Sequence, residues 1–553
     1  MRNMVRADCQ SALLAVEWRE MRDVEETRET PSRRVEVAQA AGIVALGNVT
    51  SRVLGLVREM VNSGLFGAGP HVDALNAAIL VPNTLYDLLV GGMVSSALIP
   101  VLSDYAVPKR RAELWHLLNV LLSITLLALC ALVLLGEFFA PQIVWLLVEG
   151  LSPDYQALAT SLLRLVLPAV VFLSISSILS GVLYALKRFT FPAFTAAIFN
   201  AGVVIVALLL GRRWGVHSMA AGLLVGAALQ VAFQLPGLRG ARLRFVFDFH
   251  HPALRRIGRL YLPILIGLVV DTLAVFLSYN LASRIGGGSI SWMKYAATII
   301  QFPLGLVVTA VSIAILPTLS RQAEAEDAGP FQAVLAQGLR LVLALIIPAT
   351  AGLYVLAHPV VALSFEHGDF TPADTVATAV ALRCNLLGLL FAALDQPLIF
   401  AFYARKDTLT PALVGVGTTF LYVLMALTLW WTGALTLPLL VLVNSLKLTA
   451  HALAMLALTR RRLGGLGAHG LWTLVLKASL ASLVMAVAAG GAMRGLIGVS
   501  PPGLLGELLV VGGAGGVGVV VYGILALGLR IEEIHLLRAA VAGGLRRLTG
   551  VGR

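Results

Sequence analysis

Residues 117–135 read LLNVLLSITLLALCALVLL, a run of 19 residues that contains no charged side chain. A helix needs about 20 mostly apolar residues to cross the hydrocarbon core of a bilayer, so this run has the required length. Comparable stretches recur along the chain, near residues 40–66, 72–103, 114–148, 156–186, 191–211, 216–238, 257–283, 290–319, 333–357, 374–403, 411–432, 435–458, 471–493 and 503–529. The sequence therefore predicts an all-α polytopic membrane protein with about 14 transmembrane helices.

The overall composition excludes a soluble globular chain. Of the 553 residues, 58% are hydrophobic and only 13% are charged, with a mean hydropathy of +0.89, whereas soluble domains carry about 25% charged residues. The three cysteines, Cys9, Cys130 and Cys384, are scattered and indicate neither a disulfide framework nor a metal site. No nucleotide-binding motif or catalytic constellation is found in the sequence. The sequence therefore predicts a protein that uses no metal or other cofactor and is not an enzyme.

Lysines and arginines are distributed unevenly between the connections. If the N-terminus is inside, the even-numbered connections hold 17 of these residues and the odd-numbered ones hold four. Cytoplasmic loops of membrane proteins carry the excess of positive charge, so both termini are predicted to be cytoplasmic. Residues 1–37 are polar and have no apolar signal-peptide core, and we interpret them as a cytosolic tail. The net charge of +12 is explained by this topology and does not indicate a nucleic-acid partner.

An internal repeat divides the chain. Five residues around the fourth connection recur 219 positions later: Tyr184, Ala185, Lys187, Pro192 and Ala193 correspond to Tyr403, Ala404, Lys406, Pro411 and Ala412. Upstream, Ala97 and Pro100 recur 217 positions later at Ala314 and Pro317. Because each copy holds six helices, an even number, the sequence predicts two parallel lobes that face each other across a cleft, residues 38–239 and 240–462. Residues 463–553 add two further helices and a basic cytosolic C-terminus.

The first predicted helix is the most polar one. It carries Asn48, Arg52, Arg58, Glu59 and Asn62. A charge at the bilayer centre costs about 2.5–3.5 kcal/mol on insertion scales, so this helix is expected to face a wet cavity. Glu59 is the only nearby carboxylate, which leaves positive charge for an anion, and guanidinium groups bind phosphate oxygens in a bidentate way. A phosphate-bearing substrate is the hypothesis that follows; the alternative is that Arg58 extends to the interface.

Four carboxylates are further candidates. Asp73 opens the second helix, where it either pairs with Arg58 or caps that helix. The other three, Asp87, Asp271 and Asp395, lie inside predicted spans and are by default candidate proton or cation sites, although a structural salt bridge is the alternative for Asp395. Lys294 on the eighth helix and Asn444 with Lys447 on the twelfth add polar groups to the second lobe.

At this point the residues resemble the MurJ (MviN) lipid II flippase family of the multidrug/oligosaccharidyl-lipid/polysaccharide exporter superfamily. The resemblance extends in order over the first twelve helices and rests on 51–55 (SRVLG), 57–59 (VRE), 65–69 (LFGAG), 73–74 (DA), 81–83 (VPN), 97–100 (ALIP), 291–293 (SWM), 402–407 (FYARKD) and 410–411 (TP). It implies fourteen helices, a V of two lobes, and a cationic cleft that carries the diphosphate and sugars of a lipid-linked precursor to the outer leaflet. The last two helices would form a groove for the polyprenyl tail. Arginines that match Arg52 and Arg58, and an aspartate that matches Asp73, are functional in that family.

The chain departs from the family pattern at two arginines. The stretch after Pro82 and Asn83 reads TLYD (84–87), and the stretch after Tyr295 and Ala296 continues with Ala297 and Thr298. Lys294 lies four residues before Thr298, on the same helix face, and would supply the missing positive charge.

Some family members resemble sodium-coupled transporters, with an acidic residue on the seventh helix that Asp271 would provide. Lys447 on the twelfth helix could replace the cation, which leaves coupling to Na⁺, to H⁺ or to the membrane potential open.

We therefore predict a flippase of the bacterial cytoplasmic membrane that moves lipid II, a polyprenyl-diphosphate-linked glycopeptide lipid, by alternating access. Its predicted substrate-binding residues are Asn48, Arg52, Arg58, Asp73 and Lys294. One rival is a flippase for another polyprenyl-linked glycan, which the same charges would serve. Another is a drug or organic-cation antiporter of the superfamily, for which carboxylates and aromatic residues would dominate the cleft. A membrane glycosyltransferase is a third, but the carboxylate or metal pair that it needs is not evident.

Overall fold

The computed structural model describes residues 31–323, 329–462, 470–501 and 503–534, and within these residues it is α-helical without strands. The helices of the first part are α1 (Pro31–Phe66), α2 (Pro70–Tyr86), α3 (Ile99–Tyr105), α4 (Arg111–Phe138), α5 (Ala140–Val148), α6 (Pro153–Val166), α7 (Ala169–Ala185), α8 (Thr190–Trp214) and α9 (His217–Gln234). Those that follow are α10 (Pro252–Ile285), α11 (Ser289–Pro303), α12 (Thr309–Gln322), α13 (Gly329–Val355), α14 (Ala357–Phe365), α15 (Pro372–Ala404), α16 (Leu409–Trp431), α17 (Leu437–Arg462), α18 (Leu471–Ile497) and α19 (Leu504–Gly528).

Thirteen helical stretches of the described residues are long and apolar enough to cross a membrane, and they correspond to the second to fourteenth predicted crossings. The first predicted crossing, residues 40–66, lies within α1, a helix of 36 residues. The predicted fold class, a polytopic all-α membrane protein, is confirmed. The predicted cytosolic tail, residues 1–37, lies mostly outside the described residues, as does much of the basic C-terminus.

The repeat that the sequence indicates is visible in the backbone. Lys187 and Lys406, 219 positions apart, both adopt a left-handed backbone conformation, with φ of 59° and 61°. Residues other than glycine rarely adopt this conformation. Of the three π-helical segments among the described residues, Asp87–Gly91 follows α2, Val94–Leu98 precedes α3, and Leu304–Val308 follows α11. The segments that follow α2 and α11 are 217 positions apart, the offset of the upstream repeat. These matches support the predicted repeat, and we call α1–α9 the first unit and α10–α17 the second unit.

The two C-terminal helices belong to the surface of the second unit. A core of Leu343, Ile347, Ala478, Met485 and Tyr522 joins α18 and α19 to α13. The hydroxyl of Tyr522 donates a 2.7 Å hydrogen bond to the carbonyl of Ala344. The predicted attachment of two helices outside the repeat is thus reproduced.

The two units are tied together at one end of the bundle. This end contains residues 67–69, 149–152, 286–288 and 366–371, and we call it the arginine-poor end because its connections carry few basic residues. The Asp369 N–H donates a 3.1 Å hydrogen bond to the Gly64 carbonyl, and Glu149 pairs with Arg284. Gly67 has a φ of +68°, and a Cβ there would lie 2.6 Å from the Asp369 carbonyl oxygen, so the close approach requires glycine.

Candidate functional site: a charged cluster between the two units

Arg58 and Glu59, near the end of α1, point into the interior of the bundle. The Arg58 Nη2 lies 2.7 Å from Glu59 Oε1, and the Arg58 Nη1 donates a 3.0 Å hydrogen bond to Asn200 Oδ1 on α8. The Glu59 side chain is 3% exposed and that of Arg58 is 25% exposed. The sequence predicts positive charge on this helix that is left over for an anion, but at Arg58 this charge is paired with the neighbouring Glu59 carboxylate.

Lys294 completes the cluster from the second unit. Its Nζ, on α11, lies 3.6 Å from Glu59 Oε1 and donates a 2.7 Å hydrogen bond to Asn76 Oδ1 on α2. Two cations thus share one carboxylate, so the cluster retains one net positive charge inside the bundle. The second carboxylate oxygen of Glu59 is buried and has no hydrogen-bond partner among the described residues. A cavity of about 140 Å³ opens at the cluster, and Arg58, Glu59, Asn76 and Lys294 are among the residues that line it.

Arg52 lies on α1 nearly two turns before Arg58, and it also reaches the second unit. Its Nη1 donates a 2.9 Å hydrogen bond to the carbonyl of Gln301 on α11. Gly305, in the π-helical segment after α11, lies so close that a Cβ there would overlap the Arg52 guanidinium. Among the described residues Arg52 has no acidic partner. Asn48, one turn earlier, is exposed.

Asp73 joins the two units, but in neither of the two ways that the sequence suggested. Its buried carboxylate accepts hydrogen bonds from the Gly288 N–H (2.6 Å), the Ser291 N–H (2.8 Å) and the Ser291 hydroxyl (2.6 Å). It therefore caps the first turn of α11, where the helix dipole favours a negative charge. Asp73 therefore does not cap its own helix, and it does not pair with the Arg58 guanidinium.

The remaining candidate acids have separate partners. Asp271 on α10 accepts hydrogen bonds from the Thr419 hydroxyl (2.8 Å) and from Lys447 Nζ (3.0 Å). Asp395 lies 2.7 Å from His451 Nδ1. Asp87 is exposed in its π-helical segment. These carboxylates share no hydrogen-bond partner with one another, and no group of three metal-ligating side chains occurs among the described residues.

Sequence reasoning missed the amides that hold the cluster together. Asn200 bridges Arg58 to the Ser51 carbonyl, 3.2 Å away, and Asn76 Nδ2 donates a 3.2 Å hydrogen bond to Ser291 Oγ. Both amides are buried polar groups within apolar helices, and such groups are normally hydrogen-bonded in membrane-spanning segments. A polar residue within an apolar helix therefore predicts a buried hydrogen bond, but it does not predict which residue is the partner.

A bundle of two repeated helical units with a positively charged interior defines a membrane transporter. The family model for lipid II flippase MurJ matches residues 62–510 of this chain. Lipid II flippase MurJ of Burkholderia cenocepacia is 31% identical over 377 residues, which cover 66% of this chain and 73% of that protein. A probable lipid II flippase MurJ of Vibrio cholerae is 32% identical over 410 residues, with coverage of 71% and 77%. The chain belongs to the lipid II flippase MurJ family, and thus to the multi-pass proteins of the bacterial inner membrane.

Solved structures agree with this fold. A lipid II flippase MurJ in an inward closed conformation superposes with a TM-score of 0.74 at 24% identity, covering 88% of this chain and 98% of that one. An inward-facing multidrug resistance MATE transporter of the MOP superfamily superposes with a TM-score of 0.63 at 14% identity, covering 77% and 99%.

Proposed function

We propose that this protein moves lipid II from the inner to the outer leaflet of the bacterial cytoplasmic membrane by alternating access. The observation that carries the proposal is the cluster of Arg58, Glu59 and Lys294, because it holds a net positive charge between the two units of a MurJ-family chain. A diphosphate head group can compete with Glu59 for both cations. Arg52, with no acidic partner among the described residues, adds a further phosphate-binding group one to two turns away.

The conformational cycle follows from the size of the cavity and the position of Asp73. A cavity of about 140 Å³ is below the range of about 300–1,000 Å³ that small-molecule sites occupy, so the units must separate to admit a glycopeptide head group. The Asp73 hydrogen bonds to α11 close the arginine-poor end. With the predicted topology, that end faces outward, and those bonds break when the substrate leaves.

Membrane potential is the energy source that the charges favour. The Lys447 ammonium already occupies the Asp271 carboxylate where a monovalent cation would otherwise bind. A negative cell interior drives an anionic head group outward and favours the return of the cationic cluster once the substrate has left. Each elementary charge that crosses the membrane contributes about 2.3 kcal/mol for each 100 mV.

The test is complementation in a bacterium depleted of its own lipid II flippase, with outer-leaflet lipid II as the readout. Arg58→Ala and Lys294→Ala are expected to abolish growth and to leave lipid II in the inner leaflet. Arg164→Ala is the control, because the Arg164 side chain is 52% exposed and its acidic neighbour is Glu137, outside the cluster. Normal lipid II export by both cluster variants would contradict the proposal. Mass spectrometry of co-purifying lipids separates lipid II from another polyprenyl-diphosphate-linked glycan.

A further inference from the structure

The segment between α9 and α10 has a surface that the transport cycle does not explain. Three phenylalanines at alternate positions, Phe245, Phe247 and Phe249, are 76%, 54% and 58% exposed. The intervening Val246 and Asp248 are partly buried, which is the period of two of an extended chain. The three rings therefore form one apolar stripe, and those of Phe247 and Phe249 stack 6.4 Å apart.

Hydrogen bonds fix this segment on α4. The Arg244 N–H donates to Asn119 Oδ1 (3.1 Å), and the Val246 N–H donates to Ser123 Oγ (2.9 Å). The Asn119 amide in turn donates to the Arg242 carbonyl (2.9 Å). Both α4 side chains are buried. The aromatic stripe is consequently held at a defined height on a helix that crosses the membrane.

The length of α4 gives that height. Its 28 residues extend about 42 Å at 1.5 Å each, which exceeds the hydrocarbon thickness of about 30 Å. Phe138, at the arginine-poor end of α4, is 73% exposed. About 20 residues cross the hydrocarbon, so a span that ends near Phe138 begins near Asn119. The stripe then lies at the boundary between acyl chains and headgroups, at the arginine-rich end of the bundle.

The positive charge near the stripe and the apolar surface that continues along α4 identify the occupant of this surface as lipid. Arg242 and Arg244, which adjoin the stripe in the chain, and Arg255 and Arg259, in the first turns of α10, are exposed, and they suit anionic phosphates. Along α4 the apolar surface continues through Leu127 and Leu134, which are 53% and 70% exposed.

We propose that residues 243–249 lie in the headgroup boundary of the leaflet at the arginine-rich end, with the three phenylalanine rings among acyl chains and the neighbouring arginines on anionic lipid phosphates. Because this segment joins the two units, it holds their connection at a constant depth while the units move. An amphipathic surface of this kind binds more strongly to anionic bilayers than to neutral ones.

Spin labels at single cysteines test the proposal in the full-length chain. The background carries Cys9→Ser, Cys130→Ser and Cys384→Ser, and the vesicles contain phosphatidylcholine with or without phosphatidylglycerol. At positions 245, 247 and 249, collisions with oxygen, which partitions into acyl chains, are expected to exceed collisions with a water-soluble nickel chelate. A label at Leu134 is the acyl-chain reference, and one at Asp154, which is exposed in the first turn of α6, is the aqueous reference.

Phosphatidylglycerol is expected to lower nickel collisions further at the three positions, and Arg242→Gln with Arg244→Gln is expected to remove that shift. Labels that behave like the one at Asp154 would overturn the proposal, as would labels shielded from both reagents, which would indicate a protein partner. An absent phosphatidylglycerol effect would overturn the assignment of the arginines. None of these readouts involves substrate, so the flippase proposal stands or falls separately.

Discussion

Lys294 on α11 places its ammonium 3.6 Å from the Glu59 carboxylate on α1, across the junction of the two units. The same carboxylate oxygen lies 2.7 Å from the Arg58 guanidinium. Each charge in the cluster therefore helps to determine both the attraction for an anionic head group and the attraction between the units. A change at one residue should affect substrate binding and conformation together.

The sign of the charge at residue 294 should decide activity. Lys294→Arg is expected to keep lipid II export close to that of the parent, whereas Lys294→Glu turns a net charge of +1 into −1 and should abolish it. Complementation and outer-leaflet lipid II measure both, with protein abundance in the membrane as the control. Equal tolerance of the two substitutions would show that this ammonium does not contribute to binding.

Removal of the carboxylate that Arg58 and Lys294 share should separate binding from transport. Glu59→Gln leaves two cations without a counter-charge, so binding of a lipid diphosphate is expected to tighten while export slows, because release becomes harder. Direct binding assays and export assays with purified protein in vesicles measure the two effects. Glu113→Gln, whose carboxylate pairs with Arg110 three residues earlier within the first unit, is the matched control. Weaker binding by Glu59→Gln would contradict a competition between Glu59 and the substrate.

Asp73→Asn should favour opening at the arginine-poor end. Hydrogen bonds to a charged group contribute about 1.5–3 kcal/mol each, and the substitution removes the charge that caps α11. Cysteines at Gly64 and Asp369, whose backbones share a 3.1 Å hydrogen bond, report closure through disulfide formation. We expect a lower disulfide yield with Asp73→Asn than with Asp73 intact. An unchanged yield would mean that this carboxylate does not hold the units together.

Export should not require sodium. Because Lys447 Nζ lies 3.0 Å from Asp271, export in vesicles with an imposed potential is expected to be equal in sodium and choline buffers. Lys447→Ala frees Asp271 and Thr419, and this variant is expected to gain a dependence on sodium. Thr428→Ala on α16 serves as the control, since the Thr428 hydroxyl bonds only within its own helix. A sodium requirement in the parent protein would refute the replacement of a cation by lysine.

Acid should weaken the turn between α15 and α16. Partial burial alone would raise the pKa of Asp407, but hydrogen bonds from Thr410 and the nearby Arg462 outweigh it, so its pKa lies below the ordinary value of 3.8. A lowered pKa means that the stabilisation is present above about pH 4 and is lost as the pH falls through the folded-state pKa. Asp407→Asn should lower thermal stability at pH 7 and show a smaller decrease than the parent below pH 4. An equal decrease in melting temperature for the parent and Asp407→Asn between pH 7 and a pH below 4 would contradict this prediction.

The helices could be predicted from the sequence because the thickness and apolar nature of the bilayer determine the length and hydropathy of each crossing. The repeat could be predicted because residues recur at a constant offset. The second to fourteenth crossings fall where apolar stretches predict them, and Lys187 and Lys406 share a rare backbone conformation at the predicted offset. The domain boundaries remain a prediction, although residues 239 and 240 fall in the connection between α9 and α10.

The site was less predictable because its contacts are tertiary. Helix periodicity indicates which face of α1 is polar, but not that Glu59 also lies next to Lys294, 235 positions away. Asp73 shows the same limit, since a carboxylate in a first turn predicts a cap on its own helix, and only the packing of the two units brings it to α11. The binding roles of Asn48 and Arg52, and a proton or cation role for Asp87, Asp271 or Asp395, remain predictions.

The position of Lys294 has a consequence for the comparison of relatives. Thr298, four residues on, stands where the family resemblance implies an arginine, and its hydroxyl bonds back to the Lys294 carbonyl at 3.0 Å. We predict that Lys294 supplies this charge, in which case an alignment column would register a loss although a cation lies about one turn away on the same helix. Divergent flippases are better compared by superposed electrostatic maps, in which a displaced charge still counts as retained.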